Sequence, residues 1–126
     1  MKILCKKSDL DGYGVFASED IKQGEIIESC PVVVVPYTEW NHIKHSKLVD
    51  YIFEWTPDIK TKMAYPLGYA MIYNHSYSPN AKTAKDIENS VMNFIAIRDI
   101  PRGEEITHNY TGNPYSKEQL WFEVKY

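Results

Sequence analysis

The stretch YNHSYSPN, residues 73–80, carries two asparagines, a histidine, two serines and two tyrosines directly after the apolar run MAYPLGYAMI. Asparagine, serine and proline are common in solvated turns, because they satisfy backbone groups locally or fix the backbone. The same density of donors and acceptors is also typical of a binding site. Taken alone, the stretch favours a turn, and the rest of the chain has to decide between the two.

Length and composition indicate one ordinary globular domain. The chain has 126 residues, of which 44% are hydrophobic and 25% charged, and it contains no repeat or low-complexity tract. We therefore expect a single domain over residues 1–126 with one core. The N-terminal apolar run is too short for a signal peptide, and no apolar segment has the length of a membrane span. We expect an intracellular protein, cytoplasmic or nuclear, with no membrane partner.

The charged and metal-ligating residues exclude several classes of function. A net charge of −3 argues against direct nucleic-acid binding, which needs a positive field. Cys5 and Cys30 are too few for a disulfide scaffold or a cysteine-based zinc site, so two reduced thiols are expected. His42 and His45 have helical spacing but no carboxylate or thiolate ligands nearby, which favours a solvated face. No metal is predicted.

The spacing of apolar and turn residues predicts a mostly β chain with little helix. We predict strands at residues 3–7, 15–17, 25–30, 32–35, 91–97 and 104–110. Residues 48–55 are a strand or an irregular apolar segment. Val91, Asn93, Ile95 and Ile97 should share one strand face. A brief helix at 38–45, capped by Thr38, and a closing helix after a Ser116 cap complete the prediction.

Three motifs follow one another in a specific order: GYG at 12–14, NHSYSPN at 74–80 and GEEITHNY at 103–110. The glycine pair alone is weak evidence, and it lacks the spacing of a dinucleotide-binding fingerprint. Together, the motifs resemble those of SET-domain protein lysine methyltransferases over roughly residues 11–112. The absence of flanking cysteine-rich segments makes the chain most similar to the minimal SET proteins of viruses and bacteria.

The resemblance implies a fold and a set of functional residues. The expected fold is the SET (β-clip) fold of short strands with a C-terminal pseudoknot and little helix. Tyr110 matches the catalytic tyrosine of the family. The residues expected to bind S-adenosylmethionine are Gly12, Tyr13, Gly14, Asn74 and His75, with Asn74 contributing its side chain and His75 largely its backbone. Tyr73, His108 and Tyr115 are candidates for substrate binding, and Asn80 is expected to support the pseudoknot.

The implied activity is methylation of a lysine in an extended, basic protein segment such as a histone tail. The exposed apolar run PVVVVPY, residues 31–37, could pair across a homodimer. Many relatives have an aromatic and an acidic residue where this chain has His108 and Asn109, which leaves the number of added methyl groups open.

Other interpretations of the same residues stay open. The chain could be a SET-like module that binds a basic peptide or the cofactor without turnover, or an unrelated β-clip domain. Tyr110 could be an ordinary strand aromatic, and His75 a hydrogen-bonded core histidine. Glu104 and Glu105 are expected to be structural. The C-terminal aromatics either cover the adenine or lysine channel or pack a closing helix on the core; they are Tyr115, Trp121 and Phe122.

Overall fold

The computed structural model of the protein describes residues 1–56 and 62–118. Within these ranges, no helix combines the length and the apolar character that crossing a bilayer requires. Residues 119–126 lie outside the described part, and with them most of the predicted closing helix and the side chains of Trp121 and Phe122.

Strands dominate the structure, as the sequence predicts. They are β1 (Ile3–Lys7), β2 (Tyr13–Ala17), β3 (Ile26–Pro36), β4 (Phe53–Glu54), β5 (Lys62–Pro66), β6 (Asn74–His75), β7 (Ala81–Asp86), β8 (Val91–Ala96) and β9 (Glu105–His108). The described helical segments are the short α1 (Trp40–Ile43) and two 3-10 turns at Tyr37–Glu39 and Lys47–Tyr51.

The strands form a four-stranded sheet, ordered β1-β2-β9-β6, and a five-stranded sheet, ordered β4-β5-β3-β8-β7. In the first sheet β2 pairs antiparallel with β9, in which Val15 faces Ile106. On its other edge β9 pairs in parallel with the two-residue strand β6, which sets Asn74 against Thr107 and His75 against His108. The segment that contains NHS therefore lies beside the last strand, in the knot-like arrangement that the resemblance implies.

The chain divides into two compact units. The first contains Met1–Ser29, Ile72–Ala84 and the chain from Asn93, and so includes all three motifs. Its core contains Val15, Ile21, Tyr73, Phe94, Ile100 and Ile106, all essentially inaccessible to solvent. The second contains Cys30–Met71 and Lys85–Met92, with a small core of Val35, Ile43 and Met63. The prediction of one domain over residues 1–126 stays a prediction.

Strand β8 shows the alternation expected of a strand with one buried face. Met92, Phe94 and Ala96 are buried, whereas the residues between them are only partly buried. The grouping of Val91, Asn93 and Ile95 on one face is confirmed, and this face is the less buried one.

Two local predictions are wrong. Residues 25–30 and 32–35 are one strand, β3, because Pro31 continues the extended backbone and its carbonyl accepts the Leu67 amide at 2.8 Å. Thr38 caps no helix, since it lies inside a 3-10 turn, and α1 follows Glu39 without a side-chain cap.

No strand was predicted at the residues that form β7. Its sequence AKTAKD has no run of large apolar residues from which a strand could be inferred.

Candidate active site

Asn74 connects the three sequence motifs. Its side-chain nitrogen has two hydrogens that serve three acceptors: the backbone carbonyls of Asp11 at 3.1 Å and Tyr13 at 3.3 Å, and the Glu105 carboxylate at 2.7 Å. The residue is buried, so these contacts are shielded from water. One amide therefore holds the glycine-rich turn and the final strand at fixed positions around β6.

The Glu105 carboxylate explains the second glycine of GYG. It also accepts a hydrogen bond from the Ser8 hydroxyl at 2.5 Å. A Cβ atom added at Gly14 would overlap this carboxylate, so only glycine lets strand β2 come this close to Glu105. Glycine at position 12 is explained by the backbone instead: Gly12 has a φ of +46°, which residues with a side chain rarely adopt, and nothing crowds its Cβ position. Glu105 is a structural residue, as the sequence suggests.

Asn80 supports the same strand from the other end of the motif. Its side-chain nitrogen donates to the Glu104 carboxylate at 2.7 Å and to the Glu105 carbonyl at 2.8 Å. Its oxygen accepts the Thr107 amide at 2.9 Å. Because Asn80 is 2% exposed, it replaces water for backbone groups that would otherwise be buried unpaired. This is the supporting role expected of it.

Tyr110 follows β9 and is fixed at two points. Its hydroxyl donates to the Tyr73 carbonyl at 2.7 Å, and its backbone amide donates to Nδ1 of His75 at 3.0 Å. The His75 ring also meets the Tyr110 ring edge-on, with 5.2 Å between centroids. Since Nδ1 accepts a hydrogen bond, the neutral His75 ring carries its proton on Nε2. Burial lowers the His75 pKa, which favours this neutral form.

His108 lies in the core, among aromatic rings. Its centroid is 5.3 Å from Phe94, 5.0 Å from Tyr110 and 6.3 Å from Tyr73. Burial, reinforced by the neighbouring His75, lowers the pKa of His108 to about 3. The ring is therefore neutral at pH 7. The structure places it behind Tyr110, where it supports the tyrosine ring.

Tyr73 is also buried, and its side chain points to a residue that the sequence analysis did not single out. The Tyr73 hydroxyl donates to Glu28 at 2.8 Å, and the Tyr73 ring stacks on Phe94 with centroids 4.0 Å apart. Glu28 is only 7% exposed. An acidic residue inside the apolar run of β3, beside the buried Ile27, was the signal that could have identified it.

Asn109 organises the turn that follows Tyr110. Its oxygen accepts the amide and the hydroxyl of Thr111 at 3.0 and 2.8 Å, and its nitrogen donates to the Ser116 carbonyl at 2.8 Å. A carboxylate in this position could accept but could not donate to Ser116. The contacts of Asn109 therefore use both the acceptor and the donor of its side-chain amide.

The remaining predicted site residues face solvent. Tyr13 is 59% exposed and Tyr115 is 82% exposed. Tyr115 lines a groove of about 230 Å³, whose other walls are Tyr77, Ser78, Pro79, Ile97, Pro114 and Lys117. Lys117 donates to the Tyr77 carbonyl at 3.1 Å and so holds the segment after the last strand against the NHSYSPN segment.

Metal-ligating side chains are dispersed. Over residues 1–56 and 62–118, no three His, Cys, Asp or Glu side chains are grouped as a metal site requires.

Comparisons with known proteins point to one family. The SET domain profile matches residues 12–111. The chain is 35% identical over 119 residues to a variant-silencing SET domain-containing protein of Plasmodium falciparum, covering 86% of this chain and 5% of that protein. It is 29% identical to a Schizosaccharomyces pombe histone-lysine N-methyltransferase specific for H3 lysine 37, covering 94% of this chain and 75% of that protein.

Solved structures give the same result. A Plasmodium falciparum chain described as a candidate histone methyltransferase superposes with a TM-score of 0.71 at 41% identity, over 86% of this chain and 92% of that one. A polycomb repressive complex 2 chain of Chaetomium thermophilum, bound to S-adenosylmethionine, superposes with a TM-score of 0.70 at 26% identity. That match covers 86% of this chain and 15% of the other. Since the family profile covers most of the chain and a solved relative superposes on it, this chain belongs to the SET domain family.

Proposed function

We propose that the protein is an S-adenosylmethionine-dependent protein-lysine N-methyltransferase. One observation carries the proposal: the Tyr110 hydroxyl is fixed on the Tyr73 carbonyl while the Tyr110 amide is fixed on His75. The two contacts hold the partly buried Tyr110 so that its hydroxyl has a defined position, as a residue that orients a substrate requires. Membership of the SET domain family and similarity to histone methyltransferases add support.

The residues around Asn74 fit a cationic cofactor. The carbonyls of Asp11 and Tyr13 converge on the Asn74 side chain, and the Tyr73 carbonyl points at Tyr110. Carbonyl dipoles favour a nearby positive charge, and the two neighbouring histidines are kept neutral by burial, so neither opposes it. Gly12, Tyr13, Gly14, Asn74 and His75 would hold S-adenosylmethionine, whose sulfonium supplies a transferable methyl group.

Tyr110 would orient the target amine. Because its hydroxyl donates its hydrogen to Tyr73, its oxygen can accept a hydrogen bond from the lysine nitrogen. Methyl transfer is an in-line displacement, so fixing the nitrogen in line supplies much of the acceleration. A lysine with a pKa of about 10.4 needs roughly 4 kcal/mol to lose its proton at neutral pH. A nearby cation lowers this cost, because like charge disfavours the ammonium form.

The proposed substrate is a lysine in an extended basic segment, such as a histone tail, which would be held by addition to a sheet edge. The histone specificity of the Schizosaccharomyces pombe relative supports this class. Tyr115, with its exposed ring, would flank the substrate or the adenine of the cofactor. Tyr73 and His108 would act from behind the site, because their side chains are buried. Such a protein would work inside the cell, in the nucleus or the cytoplasm.

A homodimer through residues 31–37 is also proposed. One edge of this segment is already occupied, since Val32–Pro36 pairs with β5. On the other edge β3 neighbours β8, and the Val32 amide donates to the Ser90 carbonyl at 3.0 Å. A dimer contact would therefore use side chains of this segment, of which Val33 is half exposed.

The test is transfer of labelled methyl from S-adenosylmethionine to lysine-rich peptides, with the matching arginine peptides as controls. Label on the lysine peptides alone supports the proposal. The alternative, a binding module without turnover, is motivated by His108 and Asn109, where many relatives have an aromatic and an acidic residue. Calorimetric binding of the cofactor without label transfer to any lysine peptide would favour that module.

A further inference from the structure

Glu28 is a buried acidic residue that belongs to none of the three motifs. It lies on β3, is 7% exposed and accepts a hydrogen bond from the Tyr73 hydroxyl at 2.8 Å. Burying a carboxylate is costly unless it is hydrogen-bonded. The position therefore calls for an explanation that goes beyond filling the core.

Tyr73 links Glu28 to the candidate catalytic tyrosine. The Tyr73 hydroxyl donates to Glu28, and the Tyr73 backbone carbonyl accepts a hydrogen bond from the Tyr110 hydroxyl at 2.7 Å. Between these ends the ring is 1% exposed and stacks on Phe94 with an interplanar angle of 13°. Because the hydroxyl and the ring of Tyr73 are both held in place, its backbone carbonyl has little freedom to move.

We propose that Glu28 is a positioning residue that acts through Tyr73 to fix the orientation of the Tyr110 hydroxyl. Hydrogen bonds to a carboxylate are shorter and stronger than those between neutral groups, so Glu28 is well suited to anchor a buried ring. The kinetic consequence rests on the proposed methyltransferase function. The geometric consequence does not, because it concerns Tyr110 in the protein alone.

The geometric part is tested by NMR of protein labelled with ¹³C at the tyrosine Cζ, without cofactor. Glu28→Ala should shift the Tyr110 resonance, because the Tyr73 carbonyl moves, whereas Glu28→Gln keeps an acceptor oxygen and should largely restore it. Tyr73→Phe removes the same hydrogen bond from the other side and should shift the Tyr110 resonance in the same direction. It also provides a second variant should Glu28→Ala fail to fold.

Glu25→Ala is the matched control. Glu25 lies just before β3 and pairs with Lys2 near the surface, so its loss should leave the Tyr110 resonance unchanged. An unchanged Tyr110 resonance in both folded Glu28→Ala and Tyr73→Phe proteins would overturn the inference, whatever the activity of the enzyme.

The kinetic part uses labelled methyl transfer to a lysine peptide. Glu28→Ala should lower kcat by about tenfold or more, since small misplacements of a catalytic group are costly, with little change in the KM for S-adenosylmethionine. In a Tyr110→Phe background the same change should have no further effect, because the hydroxyl it orients is gone. An equal loss in both backgrounds contradicts the inference. No transfer by the unaltered protein would instead remove the proposed function and leave the NMR result to decide the geometry.

Discussion

The Asn74 side-chain nitrogen lies 2.7 Å from the Glu105 carboxylate, and this contact joins the central motif to the final strand across 31 positions of the chain. The same nitrogen reaches the carbonyls of Asp11 and Tyr13. Asn74 therefore does two things: it shapes the proposed cofactor site and it stabilises the arrangement of the three motifs.

Asn74→Ala should weaken S-adenosylmethionine binding and also lower stability. Removing a buried hydrogen-bond partner costs about 1 to 3 kcal/mol, and here three acceptors lose their donor. Calorimetry measures the first effect and a urea melt the second. Asn89→Ala is the matched control, because the Asn89 side chain donates a hydrogen bond to Asp86 in an exposed turn. Wild-type affinity in the Asn74 variant would remove this residue from the cofactor site.

Tyr110→Phe should lower the turnover rate on the order of ten- to a thousand-fold, because one well-placed polar group is lost at the reacting centre. Cofactor affinity should change little. Single-turnover transfer of labelled methyl to a lysine peptide measures the rate, and a melting curve checks the fold. A near-wild-type rate in a stable Tyr110→Phe protein rules out the catalytic assignment.

Gly14→Ala should destabilise the protein by about 1 to 3 kcal/mol, because the new methyl group meets the Glu105 carboxylate. The carboxylate cannot move aside without losing its bonds to Ser8 and Asn74. The control removes the Glu105 carboxylate: in a Glu105→Ala background, Gly14→Ala should lower the free energy of unfolding much less. Equal costs in the two backgrounds, measured by urea unfolding, would show that the clash is not the cause.

Acid should destabilise the protein through His108. Its pKa falls from 6.5 to about 3 on folding, so the unfolded chain binds more protons between these values. The free energy of unfolding is then largest above about pH 6.5 and decreases towards pH 3, by up to about 1.4 kcal/mol per pH unit. His108→Phe keeps an aromatic ring but removes this proton, so unfolding measured across this range should depend less on pH. An unchanged slope would contradict the assignment.

Asn109→Asp should loosen the segment that follows Tyr110. The substitution keeps an acceptor for Thr111 but removes the donor to the Ser116 carbonyl, which would then face a carboxylate. Hydrogen exchange of residues 113–118 should become faster, while exchange in β1 and β2 stays the same. Asn113→Asp offers a comparison, since Asn113 uses its side-chain oxygen as an acceptor for Tyr115. Equal protection in wild type and Asn109→Asp would exclude this role.

The order of the three motifs predicted the family and the residues to examine, and the spacing of apolar and turn residues predicted the mostly β fold. Local patterns predicted the full range of β1 but only the end of β2, which begins at Tyr13 rather than Val15 because Gly14, a typical turn residue, lies inside the strand. They failed for β3, where a proline inside an extended strand resembled a boundary, and for β7, whose short polar sequence resembled a loop.

Only the tertiary structure decided which atoms these residues use. It paired Asn74 with Glu105, placed His108 among buried rings and connected Glu28 to Tyr110 through Tyr73. Sequence patterns restrict backbone angles and the face on which a side chain lies, but not its distant neighbours. Hydrogen-bond partners and burial are fixed only when strands that are far apart in the chain pack together, because both depend on distances of a few ångströms between them.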